Sequence, residues 1–174
     1  MRYILRTCAG REHYADYVKK CIPSVEICFD QGFGAMGNFL QSLEMSGDDP
    51  VVNLEDDIWI TNNFEKKIES VVSDKPNSVI QFFSMRKADL TEGSRWDSGR
   101  SYLMAQCTYF PEKMSRGILA FSKKYDNITH KSHPLDSMVA DYLNKARMKY
   151  WIHCPSLVDH RVGKSMIDPR RAST

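Results

Sequence analysis

Val51-Val52-Asn53-Leu54-Glu55-Asp56-Asp57-Ile58 is a short, mostly apolar run that ends abruptly in three adjacent carboxylates. Its apolar part suits a buried central strand, because aliphatic and β-branched residues pack well on a pleated surface. Three acids at the tip of such a strand repel one another, so something positive must offset them. A divalent cation is the simplest candidate, since Mg²⁺ and Mn²⁺ favour carboxylate oxygens and share their shell with substrate phosphates. The stretch points to a phosphorylated substrate at the carboxyl end of a strand. The alternative is a solvated acidic loop, the commoner form of an acid cluster.

Working outward, strands and helices alternate as β-α-β-α-β-α-β. Residues 2–8 read as a strand, and Tyr14, Tyr17, Val18, Cys21 and Ile22 fall at helical spacing over 12–22, stopped by Pro23. Val25–Phe29 reads as a second strand, and 35–45 as a helix with Met36, Phe39, Leu40 and Leu43 on one face. Asn63–Val72 is a third predicted helix and Ser78–Phe83 a fourth strand. Residues 86–101 read as a polar, mobile loop and 111–124 as a helix. Pro134–Ala146 is the clearest amphipathic helix, with Pro134 suited to its first turn. Tyr150–His153 reads as a short strand and 154–168 as irregular. This alternation predicts an α/β domain with a mostly parallel sheet covered on both faces, whose ligands sit at the carboxyl ends of the strands. Asp30, which closes the second strand, falls there with Glu55–Asp57.

The chain has 174 residues, 42% of them hydrophobic and 26% charged, which fits one globular domain over 1–174. No apolar run approaches a membrane span and no signal-peptide core opens the chain, so a cytoplasmic location is expected. Cys8, Cys21, Cys28, Cys107 and Cys154 are odd in number and scattered, which argues against a disulfide scaffold or a structural zinc site. The net charge of +2 is unevenly spread. Residues 44–57 carry six acids and no Lys or Arg, while 145–171 carry seven Lys/Arg against two Asp. An acidic pocket beside a basic tail suits a metal site next to a polyanion, and equally an ordinary charged surface.

Gly32-Phe33-Gly34-Ala35-Met36-Gly37 is a literal G-x-G-x-x-G between a strand and a helix, as in dinucleotide-binding proteins. Against that reading, Asp30 and Gln31 stand where an anion would approach, and a full βα unit precedes the motif. Three successive acids also exceed the one carboxylate a ribose needs. An NAD(P)- or flavin-binding protein stays open as an alternative.

The order of motifs resembles the GT-A glycosyltransferases, nucleotide-sugar-dependent enzymes with a DxD metal motif, over Arg6-Thr7 to Ser165. Thr7 and Arg11 match the end of the first strand and the start of the first helix. Asp30 matches the acid that receives the base or ribose, and Gly37-Asn38 the polar helix after a glycine loop. Leu54-Glu55-Asp56-Asp57-Ile58 matches the DxD strand, with Glu in the first acidic place. Pro134-Leu135-Asp136-Ser137 resembles the late helix that carries an Asp. Pro155 to Arg161 resembles the final segment, whose His, here His160, completes the metal shell, and Ser165 matches a serine after it. Compact enzymes of this kind are typical of bacteriophages, where similar proteins glycosylate 5-hydroxymethylpyrimidines in DNA; related ones act on lipopolysaccharide or other glycans.

The resemblance implies Mn²⁺ or Mg²⁺ held by Asp57 and His160, and a donor, by family frequency a UDP-sugar, contacted by Thr7, Arg11, Asp30, Asn38, Glu55, Asp56, Lys164 and Ser165. Asp136 would be the general base toward an acceptor hydroxyl, with Asp141 in reserve; a helix cap is the alternative for Asp136. Trp96, Tyr102, Gln106 and Tyr109 lie where acceptors bind in such enzymes, although Tyr102-Leu103-Met104 equally suits strand core. His160 also reads as a surface histidine beside Arg161.

Overall fold

A computed structural model describes residues 1–125 and 134–161. The chain opens with β1 (Arg2–Thr7), α1 (Glu12–Cys21), β2 (Glu26–Phe29), α2 (Gly34–Ser46) and β3 (Val51–Glu55). Next come β4 (Ile58–Ile60), α3 (Phe64–Asp74), β5 (Ile80–Gln81), α4 (Lys87–Glu92) and β6 (Arg95–Ser98). A 3₁₀ turn at Gly99–Ser101 leads to β7 (Cys107–Phe110), α5 (Met114–Ser122), α6 (Pro134–Lys145), β8 (Lys149–Ile152) and β9 (Val158–His160).

Seven strands form one sheet in the order β2-β1-β3-β7-β5-β8-β6, and β4 pairs with β9 in a separate two-stranded ribbon. The pairs β1–β2, β1–β3 and β5–β8 are parallel, whereas β7 runs against both β3 and β5, and β6 against β8. Five of the seven strands therefore point one way. This is the α/β, Rossmann-like architecture expected from the alternation of elements.

The pleat sends alternate residues to opposite faces. Tyr3, Leu5, Val52 and Leu54 pack with Val18 of α1 and Ile68 of α3, and Ile58 and Val158 of the ribbon join this cluster. Ile4 and Val51 pack on the other face with Phe39 and Leu43 of α2, Ile118 of α5 and Val139 of α6. Both clusters consist of buried aliphatic and aromatic side chains, and β1 and β3 belong to both.

Three expectations need correction. The predicted loop 86–101 contains α4 and β6, secured by ion pairs of Arg95 with Asp89 (2.5 Å) and Glu92 (3.1 Å), and of Arg86 with Asp97 (3.3 Å). The predicted strand Ser78–Phe83 contracts to Ile80–Gln81, although Phe82 N still donates to the Cys107 carbonyl of β7 and the Phe82 carbonyl accepts from Leu157 N. The irregular stretch 154–168 contains β9, whose partner β4 is about a hundred residues earlier in sequence.

Candidate active site

Alternation along β3 separates the three acids that the sequence sets side by side. Glu55 shares a face with Val51 and Asn53, whereas Asp56 shares the opposite one with Leu54. On the first face lies Arg6, only 6% exposed, also placed by the pleat of β1. Arg6 donates to Asn53 Oδ1 (2.7 Å), Glu55 Oε1 (3.0 Å) and the Ala105 carbonyl (3.1 Å). On the second face Thr7 Oγ1 donates to Asp56 Oδ2 (2.6 Å), and Arg11 Nη2 lies 3.1 Å from Asp56 Oδ1. The chain turns after Asp56, and Asp57 Oδ2 meets Arg11 Nη2 at 2.7 Å and His160 Nε2 at 3.4 Å.

Each acid thus has a cation of the protein's own. Arg6, Arg11 and His160 offset part of the negative charge for which a metal ion was expected from the sequence. A buried arginine in a strand demands an acidic partner, so Arg6, following the apolar run Tyr3-Ile4-Leu5 in β1, was the sequence signal for this pairing.

The electrostatics follow the geometry. Burial pushes the Glu55 carboxyl up against the pull of Arg6, and Asp57 and Asp136 push it the same way. Burial also raises Asp56, although the Thr7 hydrogen bond and Arg11 draw it down. Asp57 is different: burial again raises it, but His160 and Arg11 together outweigh burial and bring it to about 2. The hydrogen bond to Asp57 in turn raises His160, with burial opposing.

His160 reaches Asp57 because β9 pairs antiparallel with β4 and sets Ile58 opposite His160. Arg161 N donates to the Asp57 carbonyl (2.8 Å) and Arg161 Nε to the Ile58 carbonyl (2.9 Å). Its guanidinium stacks 3.8 Å over Trp59 and 4.1 Å over Tyr17. Cation–π contacts of this kind hold the end of the ribbon against α1. The sequence reading placed Tyr17 only on the apolar face of a helix and passed over Trp59, and only the fold brings both beside Arg161.

A divalent ion, implied by the GT-A resemblance, fits this donor set in part. Asp57 Oδ1 is buried and finds no hydrogen-bond partner among the described residues, and His160 offers an imidazole nitrogen beside it. No group of three or more His, Cys, Asp or Glu side chains suited to a metal occurs among the described residues. A metal here would draw its remaining ligands from phosphate or water, as Mg²⁺ commonly does.

The other expected residues divide sharply. Asp136, at the start of α6, accepts from Ala105 N (3.1 Å) and is close enough to influence Glu55, so it belongs to the cluster. Asp141 lies further along α6, five residues on and so on a different face. The Gln106 carbonyl accepts from Glu55 N (2.9 Å), which places Gln106 at the acidic tip. Tyr102 and Tyr109 are buried; the Tyr102 hydroxyl bonds Thr108 Oγ1 (2.8 Å) and that of Tyr109 donates to the Pro76 carbonyl (2.8 Å). These two tyrosines are core, not an acceptor surface. Trp96 is on the far edge strand β6 beside a shallow depression of about 470 Å³ with Asn77, Ser78, Met148 and Lys149. That depression is at the amino ends of β5 and β8, away from the acids. Lys164 and Ser165 lie outside the described residues.

Asn38 and Asp30 have internal partners. Asn38 is buried in α2 and donates to the carbonyls of Thr7 (3.0 Å) and Cys28 (3.3 Å), bracing the ends of β1 and β2. The Asp30 carboxylate accepts from the backbone N–H groups of Gly32 (3.1 Å), Phe33 (2.9 Å) and Gly34 (3.1 Å). Gly32 and Gly34 have φ of +95° and +71°, which aims these N–H groups at one point. The glycine motif therefore cradles the chain's own carboxylate where a dinucleotide would need a pyrophosphate.

No family model matches this chain, and no curated protein does. Among solved structures it is similar to A197 from STIV, with a TM-score of 0.52 and 15% identity over 94% of this chain and 87% of that one. It is also similar to a Bacillus anthracis protein named as a glucose-1-phosphate thymidylyltransferase and solved with sucrose, with a TM-score of 0.48 and 11% identity over 90% of each chain. The first likeness shows a shared fold; the second is too slight to carry an argument. Among the described residues no helix is long and apolar enough to cross a membrane.

Proposed function

We propose that this chain is a metal-dependent glycosyltransferase that moves a sugar from a nucleotide-sugar donor, by preference UDP-linked, to a hydroxyl acceptor. The observation that carries this reading is the meeting of Asp57 and His160, from distant parts of the sequence, beside Thr7, Arg11 and Asp56 at the carboxyl edge of the sheet. The Asp30 cradle counts against the dinucleotide alternative, because its N–H donors are already engaged.

A divalent ion held by Asp57 and His160 would supply Lewis-acid stabilisation of the departing nucleoside diphosphate. Arg11 adds positive charge on the same side, and Asp56, fixed by Thr7, presents a carboxylate to the donor ribose or a bound water. Asp136, anchored on Ala105 N–H, takes the proton from the acceptor hydroxyl as its oxygen bonds the anomeric carbon. The bond from that carbon to the phosphate oxygen breaks in the same displacement. The favoured acceptor is 5-hydroxymethylpyrimidine in DNA, for which the basic composition of 145–171 is the support; a glycan acceptor is the alternative.

The test is nucleotide release from UDP- and GDP-sugars with Mn²⁺, with and without DNA containing 5-hydroxymethylpyrimidines. Release should require the metal, and Asp57→Ala should weaken metal-dependent UDP binding by at least about 100-fold, since loss of mere outer-shell partners costs about 10–100-fold. Release indifferent to DNA would keep the chemistry and move the acceptor to glycans. UDP binding that ignores EDTA would overturn the reading.

A further inference from the structure

We propose that Arg11 is a built-in counter-cation that spans Asp56 and Asp57 until a divalent ion replaces it, and that Arg11 then turns to the donor diphosphate. This rests on the metal-dependent reading above. Arg11 Nη2 lies 3.1 Å from Asp56 Oδ1 and 2.7 Å from Asp57 Oδ2, so one guanidinium joins both carboxylates. His160 Nε2 approaches the same Asp57 oxygen at 3.4 Å. A metal bound between Asp57 and His160 would therefore sit against the guanidinium. Two like charges at such a separation repel strongly in a partly buried site. Arg11 and the ion compete for one place.

The two arginines of the site differ in their freedom to move. Arg6 is 6% exposed and divides its hydrogen bonds among Asn53, Glu55 and the Ala105 carbonyl, so it is locked. Arg11 is at the mouth of the cluster, immediately before α1, with its side chain 19% exposed. Besides the two carboxylates its guanidinium packs over the Tyr14 ring at 5.2 Å, a contact that tolerates sliding. Arginine pairs with phosphate as well as with carboxylate, through the same planar fork of donors. A cation displaced from Asp57 by a metal would thus keep a partner if the metal arrives with a diphosphate.

The experiment is Mn²⁺ titration calorimetry on wild type and Arg11→Gln without nucleotide, with circular dichroism to confirm that both are folded. Arg11→Gln should bind Mn²⁺ about five-fold more tightly, if Arg11 contributes what a partly exposed ion pair does at its upper end. Equal or weaker binding by folded Arg11→Gln overturns the proposal. In wild type, the Arg11 Nε–H resonance in a ¹⁵N-labelled sample should shift on adding Mg²⁺ and again on adding UDP. A resonance unmoved at saturating Mg²⁺ overturns the proposal without any variant. Tight, Asp57-dependent binding to wild type with no gain in Arg11→Gln removes this inference alone. No binding by either protein, even with UDP present, removes the glycosyltransferase reading with it.

Discussion

The Thr7 hydroxyl lies 2.6 Å from Asp56 Oδ2, both groups almost wholly shielded from water. A buried carboxylate oxygen that loses its hydrogen bond is left with an uncompensated desolvation cost of about 1–3 kcal/mol, even where, as for Asp56, Arg11 still faces the other oxygen. Thr7→Val keeps the shape of the side chain and deletes the donor. It should lower stability by about that amount in urea denaturation, and Thr7→Ser should lose less. The same pair shows what single residues disclose in a sequence. Glu55, Asp56 and Asp57 are visibly acidic and visibly at a strand tip, so the place of the site was legible. Their division between Arg6 on one face and Thr7 and Arg11 on the other depends on which strands flank β3. That division gives Glu55 the Arg6 guanidinium and gives Asp56 and Asp57 that of Arg11.

At the scale of elements, β2 is an edge strand held to β1 by a parallel ladder and by Arg2, whose Nε donates to Glu26 Oε1 at 2.7 Å. The hydrogen bond from Arg2 lowers the Glu26 carboxyl below its ordinary value of 4.5, with burial opposing. A depressed carboxylate contributes stability above its unfolded value and loses it as pH falls through its folded one. The stability difference between wild type and Glu26→Gln should therefore be full at pH 7 and shrink as pH drops below 4.5, vanishing once Glu26 is protonated in the folded state. Denaturation midpoints across that range check it. Because the pair is half-exposed, the difference should be small.

Helices such as α1, α2 and α6 were readable because their buried faces repeat every three to four residues within one short segment. The strand β9 was not, since three residues offer no period and its ladder among the described residues is with the distant β4. The same holds for β7, a run of four buried residues whose antiparallel course between β3 and β5 is a property of the sheet.

At the scale of the whole molecule, the two hydrophobic clusters share their central strands. Leu5 and Val52 face one cluster while Ile4 and Val51, their neighbours along β1 and β3, face the other. Neither half can lose its packing without stripping one face of the same sheet. Urea unfolding should accordingly be one cooperative transition, with far-UV and near-UV circular dichroism signals superimposing. Two separated transitions would show that the clusters melt independently.

The sequence by itself determined the α/β class, the helix faces and the acidic strand tip, because each of these is written in local periodicity and residue type. The tertiary structure alone decided which cation meets which acid and that Tyr109 is core. It also decided that the glycine motif encloses Asp30. Each of these rests on contacts between segments far apart in the chain, or on a turn geometry that residue types permit without dictating. Distances of about 3 Å between such groups follow from sheet order and strand direction, and neither leaves a mark in the neighbouring residues.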